Sequence, residues 1–180
     1  KPPTEKVSAL QADLKNYEAT GAQVFAGEQY NVVSQKMSEL QGLMDQKKYK
    51  EASALADSIA TDMGNLKAAI DANAQSMADQ AVSAVNTELA NYKAALTPDT
   101  IKLLGEADAK TYQDQATNFE TQVGTIQTDM GSGNFLNVVN NATPLKDQIA
   151  AATTDLTGKV EAAKAAKAAP KGKAAKKAKK

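Results

Sequence analysis

From Tyr49 the apolar residues fall at Tyr49, Ala52, Ala56, Ile59, Met63, Leu66 and Ile70, an alternation of threes and fours. That spacing puts all seven on one stripe of an α-helix. The stripe opens a stretch, 48–96, that holds no proline and a single glycine, Gly64. It predicts one long helix, about 70 Å if unbroken at 1.5 Å per residue. A second stripe follows through Met77, Ala81, Val85, Leu89, Tyr92 and Leu96. The polar stretch 71–76, DANAQS, separates the two, and any bend is expected there more than at Gly64.

The rest of the chain reads as shorter helices. Val7, Leu10, Leu14 and Tyr17 form a first stripe, with Thr4 placed as its cap and Gly21 or Gly27 as its end. Tyr30, Val33, Met37, Leu40 and Met44 form a second. The short polar link 45–48 makes it the antiparallel neighbour of the long helix. Thr97-Pro98-Asp99 restarts the chain with a cap, a proline at the first helical position and an acid. One further helix carries Ile101, Leu104, Tyr112, Ala116, Phe119, Val123, Ile126 and Met130, and 131–134 (GSGN) turns it. The last stripe runs Phe135, Val138, Ala142, Leu145, Ile149, Ala152 and Leu156. Pro144 falls inside that stripe without breaking its phase, which predicts a kink or a recapped helix at Thr143-Pro144.

The pattern repeats. Residues 7–19, VSALQADLKNYEA, align with 82–94, VSAVNTELANYKA, at an offset of 75 with seven of thirteen positions identical. The turn before Tyr49 aligns with the turn before Phe135 at an offset of 86. The two offsets differ by 11 residues, about three helical turns, so the extra residues lengthen a helix without rotating its stripe. A duplicated three-helix unit is the expected organisation, with unit one at 1–74, unit two at 75–158, and helix 48–96 continuous between them.

One helix running between two three-helix bundles resembles the spectrin-type repeat. The first unit, with its DQKKYKEA stretch at 45–52 followed by Ala56 and Ala60, resembles alanine-rich helical domains of bacterial envelope lipoproteins. That resemblance implies a non-enzymatic envelope protein. The chain opens Lys-Pro-Pro-Thr without methionine, similar to the start of a mature bacterial lipoprotein whose lipidated cysteine would lie just upstream.

Composition supports thin helix-on-helix seams. Hydrophobic residues make up 42% but much of that is alanine, and aromatics are only 4%, too few for a thick core. Strand-length β-branched runs are missing. The expected fold is therefore all-α, an elongated bundle with a disordered basic tail. No 18-residue apolar run is present, so no membrane-spanning helix is expected.

The zero net charge conceals a division. Residues 159–180 hold nine of the 21 lysines and one of the 21 acids, a charge of +8, leaving −8 on 1–158. The nine are Lys159, Lys164, Lys167, Lys171, Lys173, Lys176, Lys177, Lys179 and Lys180. Helix propensity extends the last helix over 162–169, and disorder is expected after Pro170 and Gly172. The Lys/Ala/Pro composition resembles linker-histone-like tails, which implies polyanion binding by counterion release without sequence specificity. In an envelope the anion would be a phosphate group, an anionic lipid or peptidoglycan. Terminal lysine is also the type of residue that can be linked to the cell wall. The bland alternative is a solvated tail that neutralises the body.

Catalytic chemistry has little to draw on. Cysteine, histidine and arginine are all absent, which removes thiolates, the commonest general base and the guanidinium fork. Asp57, Asp62, Asp71 and Asp79 are spaced 5, 9 and 8 apart, which favours a solvated face over a metal set. The stretch 129–134 lacks the alternating acids of a calcium loop and reads as a turn. Tyr17, Tyr30, Tyr49, Tyr92 and Tyr112 sit on apolar stripes, so core packing is preferred to base or sugar stacking. No catalytic, cofactor-binding or metal-binding residue is expected. The leading expectation is a structural or adaptor protein of a bacterial periplasm or outer envelope, with a protein partner along its helical body. The alternatives are a cytoplasmic nucleoid protein acting through the tail and a periplasmic holdase chaperone.

Overall fold

The structure, a computed structural model, describes residues 1–169. Within them the chain forms seven α-helices and no strand: α1 (Thr4–Ala19), α2 (Ala22–Phe25), α3 (Gly27–Asp45), α4 (Tyr49–Ala95), α5 (Pro98–Leu104), α6 (Glu106–Gly131) and α7 (Phe135–Ala168). The fold is all-α.

The long stripe is one helix. α4 spans 47 residues and passes both Gly64 and Asn73 unbroken. Its predicted stripe is the buried face: Ala52, Ala56, Ile59 and Leu66 are fully buried, with Met63 and Ile70 nearly so. Thr97 caps α5 as its sequence predicts, its hydroxyl oxygen accepting from the Thr100 N–H at 3.1 Å. Pro144 neither recaps nor divides the last helix, since α7 continues on both sides of it. Pro144 is exposed, as is Asn140, whose carbonyl loses its N–H partner. Meanwhile Val138, Ala142, Leu145 and Ile149 hold the stripe in the core.

Two elements depart from expectation. The helix expected from Pro98 to Met130 is divided at Gly105, whose φ of 83° and ψ of 166° are open to glycine but strained for other residues. Before α3 the chain inserts the single-turn α2, bounded by a left-handed Gly21 at φ 99°. Both glycines were visible in the sequence. Apolar periodicity alone does not register a one-residue interruption.

The chain divides into two compact units. The first comprises Lys1–Val82 with Ile126–Asn141, and the second Ser83–Thr125 with the chain from Ala142 on. The division in α4 thus falls at Val82, beyond the 71–76 handover, and the turn between α6 and α7 belongs to the first unit, not the second as drawn from the repeat. The first unit packs Val7, Leu10, Phe25, Val33 and Leu40 against the α4 stripe. In the second, the buried residues are Val85, Leu89, Tyr92, Ala109, Tyr112, Phe119, Val123, Ala142, Leu145, Ile149 and Leu156. Residues matched at an offset of 75 have similar environments. Val7 and Val82, Leu10 and Val85, Leu14 and Leu89, and Tyr17 and Tyr92 are all buried or half-buried.

The offset of 86 has a sharper counterpart. After α3, the Lys48 N–H donates to the Leu43 carbonyl at 2.9 Å and the Lys47 N–H to Met44 at 3.0 Å. After α6, the Asn134 N–H donates to Asp129 at 2.9 Å and the Gly133 N–H to Met130 at 3.1 Å. These are the paired bonds of a Schellman cap, and each of the four partners is displaced by 86. The left-handed position is Lys47 (φ 61°) in one turn and Gly133 (φ 74°) in the other. Lysine pays for its Cβ there. Lys47→Gly is therefore expected to stabilise the chain by about 1 kcal/mol, read as a rise in the urea midpoint at unchanged slope. An unchanged or lower midpoint would contradict it.

Candidate polyanion-binding surface

Three of the nine sequence-predicted lysines lie among the described residues. Lys159, Lys164 and Lys167 sit on α7, all exposed. Lys164 Nζ donates to Glu161 Oε1 at 2.7 Å, a helical i,i+3 pair. Lys171, Lys173, Lys176, Lys177, Lys179 and Lys180, with the expected disorder after Pro170, lie outside the described residues. The helix predicted for 162–169 forms, and α7 carries the lysine segment to Ala168 without a break at Lys159.

Three of the four scattered aspartates find separate partners. Asp57 pairs with Lys6, Asp62 with Lys36 (2.7 Å), and Asp71 with Lys67. Lys36 also donates to Ser58 Oγ at 3.0 Å, so it ties α3 to α4 by two contacts. The bond to Asp71 raises the pKa of Lys67. Water and salt screen the exposed pairs, so they add little stability. Among the described residues no cluster of three or more acids, cysteines or histidines could hold a metal ion. No described helix is long and apolar enough to cross a membrane.

The tyrosines pack. Tyr17, Tyr30 and Tyr49 are half-buried, Tyr92 and Tyr112 buried. In the second unit the Tyr92 hydroxyl donates towards the Tyr112 carbonyl at 3.0 Å, with Gln115 Oε1 a second acceptor at 2.9 Å. Its ring meets Phe119 edge to face at 5.4 Å. The Tyr112 hydroxyl donates to Asp155 Oδ2 at 2.6 Å. Burial, then the Asp155 charge, pushes Tyr92 up to about 12. Tyr112 is also raised, by burial first and then by its bond to Asp155. Both are held as neutral phenols, which suits a structural network and gives no base near neutral pH.

The first unit holds a cavity of about 440 Å³ at the level of the α1–α2 turn. Phe25, Ile70, Ala74, Phe135 and Leu136 give it apolar walls, and Thr20, Asp71, Asn134 and Asn137 a polar edge. Gly21 lets the turn close beside it, since a Cβ there would lie 2.7 Å from the Phe25 ring and 3.0 Å from Leu136. Asn73 Nδ2 donates to the Phe25 carbonyl at 2.8 Å and fixes the end of α2. Sequence reading did not anticipate this cavity. Its walls come from segments far apart in the chain, and none of them carries a motif.

No family model, curated protein or solved structure matches this chain.

Proposed function

We propose that the chain is a non-enzymatic structural or adaptor protein of the bacterial cell envelope, in which the helical body carries a lysine segment that holds an anionic partner. The observation that supports this reading most is the charge division, +8 on 159–180 against −8 on 1–158. An acidic body repels a polyanion, so binding concentrates on the lysine segment and depends steeply on salt. Lysine presents point charges without a planar fork, which suits dispersed phosphates and no particular base sequence. A lipid anchor upstream of Lys1 and a linkage at Lys180 are compatible extensions of the same role.

A second reading, a nucleic-acid-binding protein acting through the segment, draws on the same lysines and on the Lys/Ala/Pro composition. Cell fractionation separates the two. The envelope reading predicts that the protein sediments with envelopes, and that deleting 159–180 releases polymer binding while α1–α7 keep their helicity up to the deletion. Co-sedimentation with the nucleoid, lost in the same deletion, would overturn it in favour of the second reading.

A further inference from the structure

α7 continues well past the packing that holds it. Leu156 is its last buried residue, yet the helix runs on to Ala168 with only Val160 and Ala163 half-buried and every other side chain exposed. Core burial does not explain these last three turns. Five alanines, at 162, 163, 165, 166 and 168, supply the propensity, and growth from a formed helix removes the nucleation cost.

The lysines on this arm are gathered. At about 100° per residue, Lys159, Lys164 and Lys167 fall within one arc of about 140°, in the direction of Leu156. Glu161, Ala165 and Ala168 fall outside it. The stripe that is apolar as far as Leu156 thus becomes a basic strip beyond it.

We infer that this helical arm is the anchoring strip for the polyanion, and that its ligand is a linear, flexible phosphodiester polymer. The inference rests on the reading of the lysine segment as the binding part. α7 fixes the three lysines at intervals of about 7.5 Å and 4.5 Å along its axis, where a disordered chain would have to order them on binding. The ligand class follows from what the strip lacks. Its apolar groups are one valine and one alanine, too little for insertion into a bilayer or for docking an amphipathic helix. No aromatic residue follows Phe135, so unpaired bases have nothing to stack on. Phosphates on a flexible chain meet both conditions.

The test keeps the full chain and changes one residue on the far side of the arm. Ala165→Pro removes an N–H of the helix and unwinds the turns around Lys164 and Lys167, with charge unchanged and the core ending nine residues earlier at Leu156. Ala165→Ser keeps the helix and serves as control. Binding is measured to poly(glycerol phosphate), with duplex DNA and phosphatidylglycerol vesicles as competing ligands. The expected result is that the parent chain and Ala165→Ser prefer the polymer, and that Ala165→Pro binds it about tenfold more weakly. Equal affinity of Ala165→Pro and Ala165→Ser would overturn the arm while leaving the lysine segment as the binding part. Preference of the parent chain for DNA or vesicles would overturn the ligand class. Failure of the parent chain to bind any of the three would overturn the underlying reading itself.

Discussion

Replacing Tyr92 by alanine is expected to lower the stability of the chain by about 4 kcal/mol. Tyr92 is fully buried, the largest side chain to be so. Truncation removes its burial, leaves a cavity, and takes away the edge-to-face contact with Phe119. Tyr92→Phe isolates the hydroxyl. It keeps the ring but leaves Gln115 Oε1 without its donor, and should cost only about 1–2 kcal/mol. The two variants also differ from the parent in alkali. Tyrosine in the unfolded chain releases its proton near its ordinary value of 10, while folded Tyr92 keeps it to about 12. Above pH 10 the folded state binds more protons than the unfolded state, so parent stability falls as pH rises through this window. Tyr112, raised in the same sense, adds to the fall. Urea unfolding at neutral pH and through the alkaline range checks both parts. A loss below 1 kcal/mol for Tyr92→Ala, or an alkaline slope unchanged in Tyr92→Phe, would contradict the network.

Gly21→Ala is expected to cost about 2–4 kcal/mol, more than a glycine-to-alanine change usually does. Two causes act together. The backbone at Gly21 has φ 99°, a region that residues with a Cβ rarely adopt. The new Cβ would also stand 2.7 Å from the buried Phe25 ring, which would have to shift to admit it. The contrast is Gly64, in the interior of α4 with open space around its Cα. There alanine should stabilise by about 1 kcal/mol through helix propensity. Thermal unfolding of the two variants therefore moves in opposite directions. A Gly21→Ala chain as stable as the parent would mean that the α1–α2 turn is not closed as described.

Much of the fold was written in spacing. α4 was legible because seven stripe residues hold one phase across several turns, and a buried face of that length has no other element to form. The Pro98 restart was legible for a local reason, a cap and a proline in adjacent positions. Gly21 was named as one of two possible ends of the first helix, but the interruption at Gly105 and the short α2 were not legible, because whether a glycine interrupts a helix depends on a φ that tertiary packing selects. The assignment of 126–141 to the first unit was not legible, since the repeat aligns helices and turns but not the level at which helices exchange neighbours. The matched Schellman caps after α3 and α6 were half legible. The sequence aligned the two turns, and the structure adds that the same pair of hydrogen bonds closes both.

The functional part was legible only as charge. Lysine counts mark 159–180 as different from the rest, and alanine propensity predicts that its first part is helical. The gathering of Lys159, Lys164 and Lys167 on one side follows from α7 keeping its phase past Leu156.

If the lysine segment holds an anionic polymer, affinity must fall steeply with salt and only when residues 159–180 are present. The dissociation constant of the full chain for poly(glycerol phosphate) is measured between about 50 and 200 mM salt, beside a chain ending at Gly158. The expected slope of log affinity on log salt is steeper than about −4 for the full chain, since nine lysines are available, and close to zero for the shortened one. Equal slopes and equal affinities for the two chains would contradict it.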